Sequence, residues 1–347
     1  MFRGGPAMNG YSGAKLPENP RLLWSYRSEA RTSASPVVKD GTVYWCDKRG
    51  KIHGVDNDGK PSFSYDFATA VESTPAIFDS VIFLGRIDGF VSAISLKTAH
   101  LLWEFETDGQ VSASPNRIMF EGNMAIVVGS YDHFLYCLDH RSGKPVKKFE
   151  SQYYINGAAA VCGSYLIFGG CDEWVRIIDT ASGTATDSLK LDAYIPGTPA
   201  VWDHFCYVAD YAGNIHEVEL SQGKIVAHQK IVEAEEEHGA TNMPAVSKKH
   251  LYSLVDGRNL GCIERGSGKT KWKTRLKGEA GESSPVVCYN KVLCCTKSGI
   301  VSIMETTAGK VVWEYDTGEA INASPAVVAG RFYVLTAKGT LFCFGEF

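Results

Sequence analysis

Hydrophobic and polar residues alternate along most of this chain in short runs rich in Val, Ile, Tyr, Phe and Trp. A period of two places successive side chains on opposite faces of a strand, so the pattern predicts β-structure throughout. The clearest stretch runs from Val311 to Phe347. It opens with an apolar run carrying Trp313, reaches Ala323-Ser324-Pro325, and turns at Ala329-Gly330. An alternating strand, Phe332 to Leu335, leads to a second turn at Lys338-Gly339 and a last strand ending at Phe344. This reads as an outer strand followed by three more, joined by tight turns.

The same unit recurs along the chain. Its Ser-Pro position appears at Ser35-Pro36, Thr74-Pro75, Ser114-Pro115, Ala158-Ala159, Thr198-Pro199, Met243-Pro244, Ser284-Pro285 and Ser324-Pro325. Successive copies stand 39, 40, 44, 40, 45, 41 and 40 residues apart. Four strand-like runs per period of this length predict propeller blades, and the period-two alternation argues against a helical repeat. The last copy stops after its third strand, GTLFCF, while the N-terminal part supplies an unassigned strand, Arg21 to Tyr26. That strand matches LLWEF at Leu101–Phe105 and VVWEY at Val311–Tyr315. The prediction is an all-β, eight-bladed propeller of four-stranded antiparallel blades. Residues 21–27 pair with 340–345 to close the ring and remove its open edges. Residues 1–20 form an extended lead-in, and 21–347 form a single domain.

Two features mark each repeat. An acidic residue stands four before a Gly at the third-to-fourth turn: Asp139 before Gly143, Asp179 before Gly183, Glu219 before Gly223, Glu264 before Gly268 and Glu305 before Gly309. Such a carboxylate can accept hydrogen bonds from turn amides, and Gly permits positive φ, so these acids are read as structural. Four of the seven Trp residues (Trp24, Trp103, Trp272 and Trp313) share one position on the outer strand. There an indole packs between blades and donates its N–H to a turn carbonyl.

The combined pattern is Trp, then Ser-Pro-x-Val-x-x-Gly-x-Val-Tyr, then Gly-x-Leu-x-x-x-Asp-x-x-x-Gly-Lys. It resembles the repeat of pyrroloquinoline-quinone-type β-propellers over residues 21 to 347. That group is similar both to quinoprotein alcohol dehydrogenases and to the eight-bladed outer-membrane assembly lipoprotein. The lead-in FRGGPAMNGYSGAKLP also resembles the start of exported bacterial propellers. The enzyme branch implies a bound quinone, Ca²⁺, a catalytic Asp and a vicinal disulfide. The one adjacent pair here, Cys294-Cys295, lies in the strand-like run VLCCT, where neighbours point to opposite faces. Long insertions that build the enzymes' cofactor cover are lacking. No cofactor is expected.

Composition narrows the remaining choices. A net charge of −4 gives no basic footprint for nucleic acid. No apolar run is long enough for a transmembrane helix. The lead-in has no hydrophobic signal core, which fits either a cytoplasmic chain or an exported one with its signal removed. The ten Cys residues fall mostly inside strands and read as reduced core residues. Nine His residues scatter among blades without metal-ligand spacing, and Glu235-Glu236-Glu237-His238 reads as a solvated loop. No catalytic residue or metal ligand is assigned.

Strand direction alternates within a blade, so the loops after the second and fourth strands open on one face. That face is expected to carry the longest loop, Val232–Asn242, together with Tyr153, Tyr154 and Tyr194. Three residues before each repeat Pro, or its equivalent, the chain reads Ser33, Glu72, Ser112, Asn156, Pro196, Thr241, Glu282 and Asn322. A nearly all-polar ring suits the mouth of a water-filled channel, made acidic by Glu72 and Glu282. The candidate binding residues are therefore Glu72, Tyr153, Tyr154, Asn156, Tyr194, Glu282 and Asn322. The expectation is a monomeric, non-enzymatic binding scaffold holding a protein or peptide on this face. Its place is periplasmic or outer-membrane associated, with the cytoplasm as the alternative. A quinone-dependent oxidoreductase and a carbohydrate-binding propeller are the competing functions.

Overall fold

The computed structural model describes residues 2–234, 242–328 and 330–346. Each repeat forms a four-stranded antiparallel blade. Blade one runs from the axis outward as Val37–Lys39, Thr42–Cys46, Lys51–Val55 and Pro61–Asp66. Seven further blades follow the same order, which gives the predicted eight-bladed ring. The eighth is completed by Arg21–Arg27, antiparallel to Thr340–Gly345, with Arg21 opposite Gly345 and Arg27 opposite Thr340.

The hydrophobic core is divided among the blade interfaces. Eight apolar clusters form, one for each adjacent pair of blades. At the closing interface Val43, Trp45 and Val55 of blade one meet Tyr333, Leu335, Leu341 and Cys343 of blade eight, all buried. Burying such side chains supplies roughly 1.5–3 kcal/mol each relative to exposure.

The outer-strand indoles reach across these interfaces. Trp24, Trp103 and Trp272 donate Nε1–H to the carbonyls of Asn57, His140 and Thr306, at 2.8, 3.1 and 2.9 Å. The turn Gly lies under the ring: a Cβ on Gly143 would stand 2.5 Å from the Trp103 indole. Asp139 accepts from the amides of Arg141 and Ser142, as the turn acids were expected to do.

A second device joins the blades near the axis. In six blades the residue before the repeat Pro, or its equivalent, offers its amide to the hydroxyl at the same position on the next blade. Ser284 N–H donates to Ser324, Ser324 to Ser35, Ser35 to Thr74 and Thr74 to Ser114, at 2.9–3.1 Å. Met243 donates to Ser284 and Ala158 to Thr198. The girdle lacks an acceptor hydroxyl where Ala158 and Met243 replace Ser or Thr.

The lead-in caps one sector of the inner edge. Its carbonyls accept inner-strand amides: Pro6 from Val161, Ala7 from Val201, Asn9 from Val246 and Gly10 from Val287. Tyr11–Ser12 then adds a parallel strand to blade seven. Glu18 pairs with Lys291 at 2.8 Å.

Candidate functional site

Among the described residues the repeat places one loop residue from each of seven blades at the axis. Ser33, Glu72, Ser112, Asn156, Pro196, Glu282 and Asn322 line a single cavity of about 260 Å³, with Phe2 at its floor. Four of the expected binding residues (Glu72, Asn156, Glu282 and Asn322) are thus brought together. Thr241, most of the loop Val232–Asn242, and the run Glu235 to His238 lie outside the described residues. Glu72 is less available as an acid than the sequence suggested, because Lys48 pairs with it at 2.8 Å. Glu282 remains exposed.

The tyrosines stand on the same face, outside the mouth. Tyr153, Tyr154 and Tyr194 are 48%, 36% and 54% exposed. Tyr153 and Tyr154 have ring centroids 4.4 Å apart. Tyr131 stacks on Tyr154 at 4.7 Å, and His133 stacks on Tyr153 at 5.8 Å. The Tyr131 hydroxyl donates to Asn156 Oδ1 at 3.1 Å, which ties the aromatic patch to the mouth. Neighbouring Tyr154, then partial desolvation, push the Tyr153 phenol above its ordinary value, with Tyr194 adding to the rise.

Backbone pairing shows why the patch is local. In each blade discussed here, the amide two residues past the second strand donates to a carbonyl in the loop preceding the inner strand. The pairs are Cys171 with Tyr154, Tyr211 with Tyr194 and Tyr131 with Gln110 in blades four, five and three. The corresponding pairs are Lys48 with Arg31, Ile87 with Ala70, Lys297 with Glu279 and Ala337 with Ala320 in blades one, two, seven and eight. Among these seven blades an aromatic residue stands at one or both members of the pair only in blades three to five, as donor in three and five and as acceptor in four and five.

Sequence reasoning missed Tyr131, His133, Tyr211 and Asp172. The signal for His133 was a broken repeat. The turn after the second strand carries Gly50, Gly89, Gly213, Gly299 and Gly339 at φ between 85° and 99°. Blades three and four place His133 and Glu173 there, at φ 76° and 73°. Non-glycine residues in this region are uncommon and held by their surroundings.

Asp172 braces the patch from below. It accepts from Ser151 Oγ at 2.9 Å, from the Gln152 amide at 2.8 Å and from Arg176 Nη1 at 3.1 Å. Burial alone would raise its carboxyl. The Arg176 and backbone hydrogen bonds outweigh that and hold it at about 2. The residues just before Tyr153 are thus fixed by a charged acceptor.

Among the described residues no group of three or more His, Cys, Asp or Glu side chains is placed to hold a metal ion. Asp210–His216, at 2.9 Å, is buried and repeats Asp47–His53 of blade one, a packing pair of the second and third strands. Cys294 and Cys295 are free thiols that enter different interfaces, six–seven and seven–eight. Burial pushes the Cys294 thiol up to about 12, which opposes thiolate chemistry.

A closed ring of eight such blades defines a propeller of the pyrroloquinoline-quinone-like repeat class. A family model described as outer membrane protein assembly factor BamB matches residues 16–226 and 171–344, and the chain belongs to that family. Among curated relatives, the assembly factor BamB of Legionella pneumophila is 23% identical over 48% of this chain and 41% of its own length. That of Yersinia pestis is 23% identical over 73% of this chain and 64% of its own. The matched parts thus span less than two thirds of either relative. Among solved structures, BamB from Moraxella catarrhalis superposes with a TM-score of 0.80 at 18% identity, covering 94% of this chain and 100% of that one. Quinohemoprotein alcohol dehydrogenase from Comamonas testosteroni gives 0.79 at 13% identity, covering 99% and 80%. Likeness at these identities defines the fold.

Proposed function

We propose that this chain is a non-enzymatic scaffold of the bacterial cell envelope, acting in outer-membrane protein assembly. It works as a monomer in the periplasm or at the outer membrane and holds a protein partner against its tyrosine-bearing face. One observation carries this reading. Tyr131, His133, Tyr153 and Tyr154 form a stacked, partly exposed cluster, with Tyr194 beside it on the next blade. Tyrosine gives large contact area with few rotatable bonds and a hydroxyl for orientation, and it is enriched where partners bind. Loops that leave a repeat are freer to carry function on a rigid ring. Glu72, Asn156, Glu282 and Asn322 at the mouth supply the polar margin of the contact. Family membership and the relatives named for outer-membrane protein assembly support the setting. Among the described residues no helix is long and apolar enough to cross a membrane, a statement about helices alone.

The test is complementation in the native host. Loss of the gene should lower the amount of β-barrel protein in the outer membrane, and the parent chain should restore it. The triple variant Tyr153→Ala, Tyr154→Ala, Tyr194→Ala should fold but fail to restore it. Unchanged outer-membrane protein in the deletion strain would refute the reading. Saturable binding of pyrroloquinoline quinone with Ca²⁺, together with alcohol-dependent dye reduction, would replace it with the oxidoreductase.

A further inference from the structure

The face that carries the tyrosines is divided in charge. In blades three, four and five its loops are 107–115, 130–133, 151–159, 170–173, 191–199 and 210–214. They hold six carboxylates (Asp108, Asp132, Asp172, Glu173, Asp192 and Asp210) and no Lys or Arg. The matching loops of blades seven, eight and one are 276–285, 296–299, 317–325, 336–339, 28–36 and 47–50. These hold six Lys or Arg beside five acids. One repeat builds both sectors, so blade architecture by itself does not require the acidic excess.

Cations on the strands answer only part of it. Asp210 is buried against His216. Arg176 pairs with Asp172, and Lys190 with Glu173 at 3.4 Å. Lys230 reaches Asp192 at 3.4 Å, but that carboxylate is 83% exposed, and a pair so open to water is weakly held. Asp108 is exposed and Asp132 half-buried, and neither is in an ion pair among the described residues. Asp132 is held in place: the Tyr136 hydroxyl donates to it at 2.7 Å, and the Phe134 and Asp108 amides donate at 3.0 and 3.1 Å.

The rings beside these acids are open. Tyr194 and Tyr211 are exposed and joined by the Tyr211 amide. Among the described residues neither ring is in an aromatic pair, and no Lys or Arg lies over either, or over Tyr131, Tyr153 or Tyr154. The exposed tyrosine of the opposite face, Tyr289, has Lys15 over its ring at 5.7 Å. An aromatic face attracts a cation, and here the chain supplies none of its own.

We propose that the partner segment docked on this sector is basic, a stretch of protein presenting Arg or Lys. Its cationic groups stack on Tyr194 and Tyr211 and reach the carboxylates of Asp108, Asp132 and Asp192. Tyr153 and Tyr154 pack against the methylene stems. This rests on the partner-binding face proposed above and adds the chemistry that the face selects.

Titration of the intact chain at low ionic strength with a blocked peptide of alternating Arg and Ser, and with its Glu and Ser counterpart, tests this. The Arg peptide should saturate one site and the Glu peptide should not bind. Asp108→Asn with Asp192→Asn should weaken the Arg peptide by about three-fold or more, the scale of two exposed ion pairs. Glu29→Gln with Glu279→Gln makes the same change in net charge on the other sector and should leave the affinity unchanged. Tyr194→Ala with Tyr211→Ala should also weaken binding. The proposal fails if the Arg peptide does not saturate, if the Glu peptide binds as well, or if the two charge variants weaken binding equally. It fails too if the tyrosine variant binds like the parent. Complementation by the parent chain in the host remains the separate test of the partner face. A chain that restores outer-membrane protein yet ignores the Arg peptide keeps that face and loses only the partner's charge.

Discussion

Blades seven, eight, one and two differ from blades three to six, although one repeat builds both halves. In the first group the hydroxyl girdle runs unbroken from Met243 through Ser284, Ser324, Ser35 and Thr74 to Ser114. In the second it is interrupted at Ala158 and Met243, and lead-in carbonyls take the inner-strand amides of blades four to six, as they also do in the neighbouring blade seven. The same second group replaces turn glycines with His133 and Glu173 and gathers the tyrosines. Where the repeat is kept, its polar groups close the ring. Where it lapses, another segment supplies the cohesion and the face acquires side chains with no structural partner in the repeat.

The largest effect separates closure from capping. Removing residues 1–28 takes the outer strand from blade eight and uncovers Leu341 and Phe344, both buried. Cooperative melting should be lost, with aggregation visible by sedimentation. Removing residues 1–12 alone should leave a closed ring with a lowered melting temperature, because only the cap is gone. Equal damage from both truncations would erase the distinction between the two halves.

The girdle gives the next effect, with opposite signs in the two halves. Ser324→Ala leaves the buried amide of Ser284 unpaired and should cost about 1–2 kcal/mol in denaturant unfolding. Ala158→Ser restores an acceptor at a gap and should gain up to about 1 kcal/mol. A loss at position 158 as large as that at 324 would mean the gap is compensated some other way.

His133→Gly should stabilise the fold by about 1 kcal/mol, since Gly takes positive φ without strain. It should also loosen the stack on Tyr153 and weaken partner binding. A variant both less stable and fully active would show that the histidine serves packing alone.

The smallest effect is on the acid limb of stability. Asp172 titrates at about 2 when folded, against 3.8 for the ordinary group. The folded state binds fewer protons there, so its contribution is complete above pH 3.8 and is lost as pH falls through 2. Asp172→Asn should flatten that part of the stability profile. An unchanged acid limb would show that the carboxylate does not brace the patch.

Much of this was legible before any coordinates. The Ser-Pro spacing, the missing last strand and the shared Trp position led to eight blades, the closing pair and the interfacial indoles, because each is a repeated local requirement. The mouth residues were also reachable, since position in the repeat sets position at the axis. Three features were not. Lys48 on Glu72 depends on two loops meeting, which spacing does not reveal. The girdle was hidden because Ser-Pro was read as a marker of period and not as an acceptor for the next blade. Tyr131 and Asp172 follow a loop-to-loop pairing that exists only once the sheet is formed, though His133 in place of Gly was a visible sign.

The central claim is that the irregular half carries the partner surface. Its most direct test places a photo-crosslinking amino acid at Tyr194 in one strain and at Glu279 in another. The two face the same side of the ring, at corresponding positions on blades five and seven. In native host cells the position-194 chain should give a discrete covalent adduct with an envelope protein and the position-279 chain should give none. Adducts of equal yield from both positions, or an adduct from 279 alone, would contradict the account.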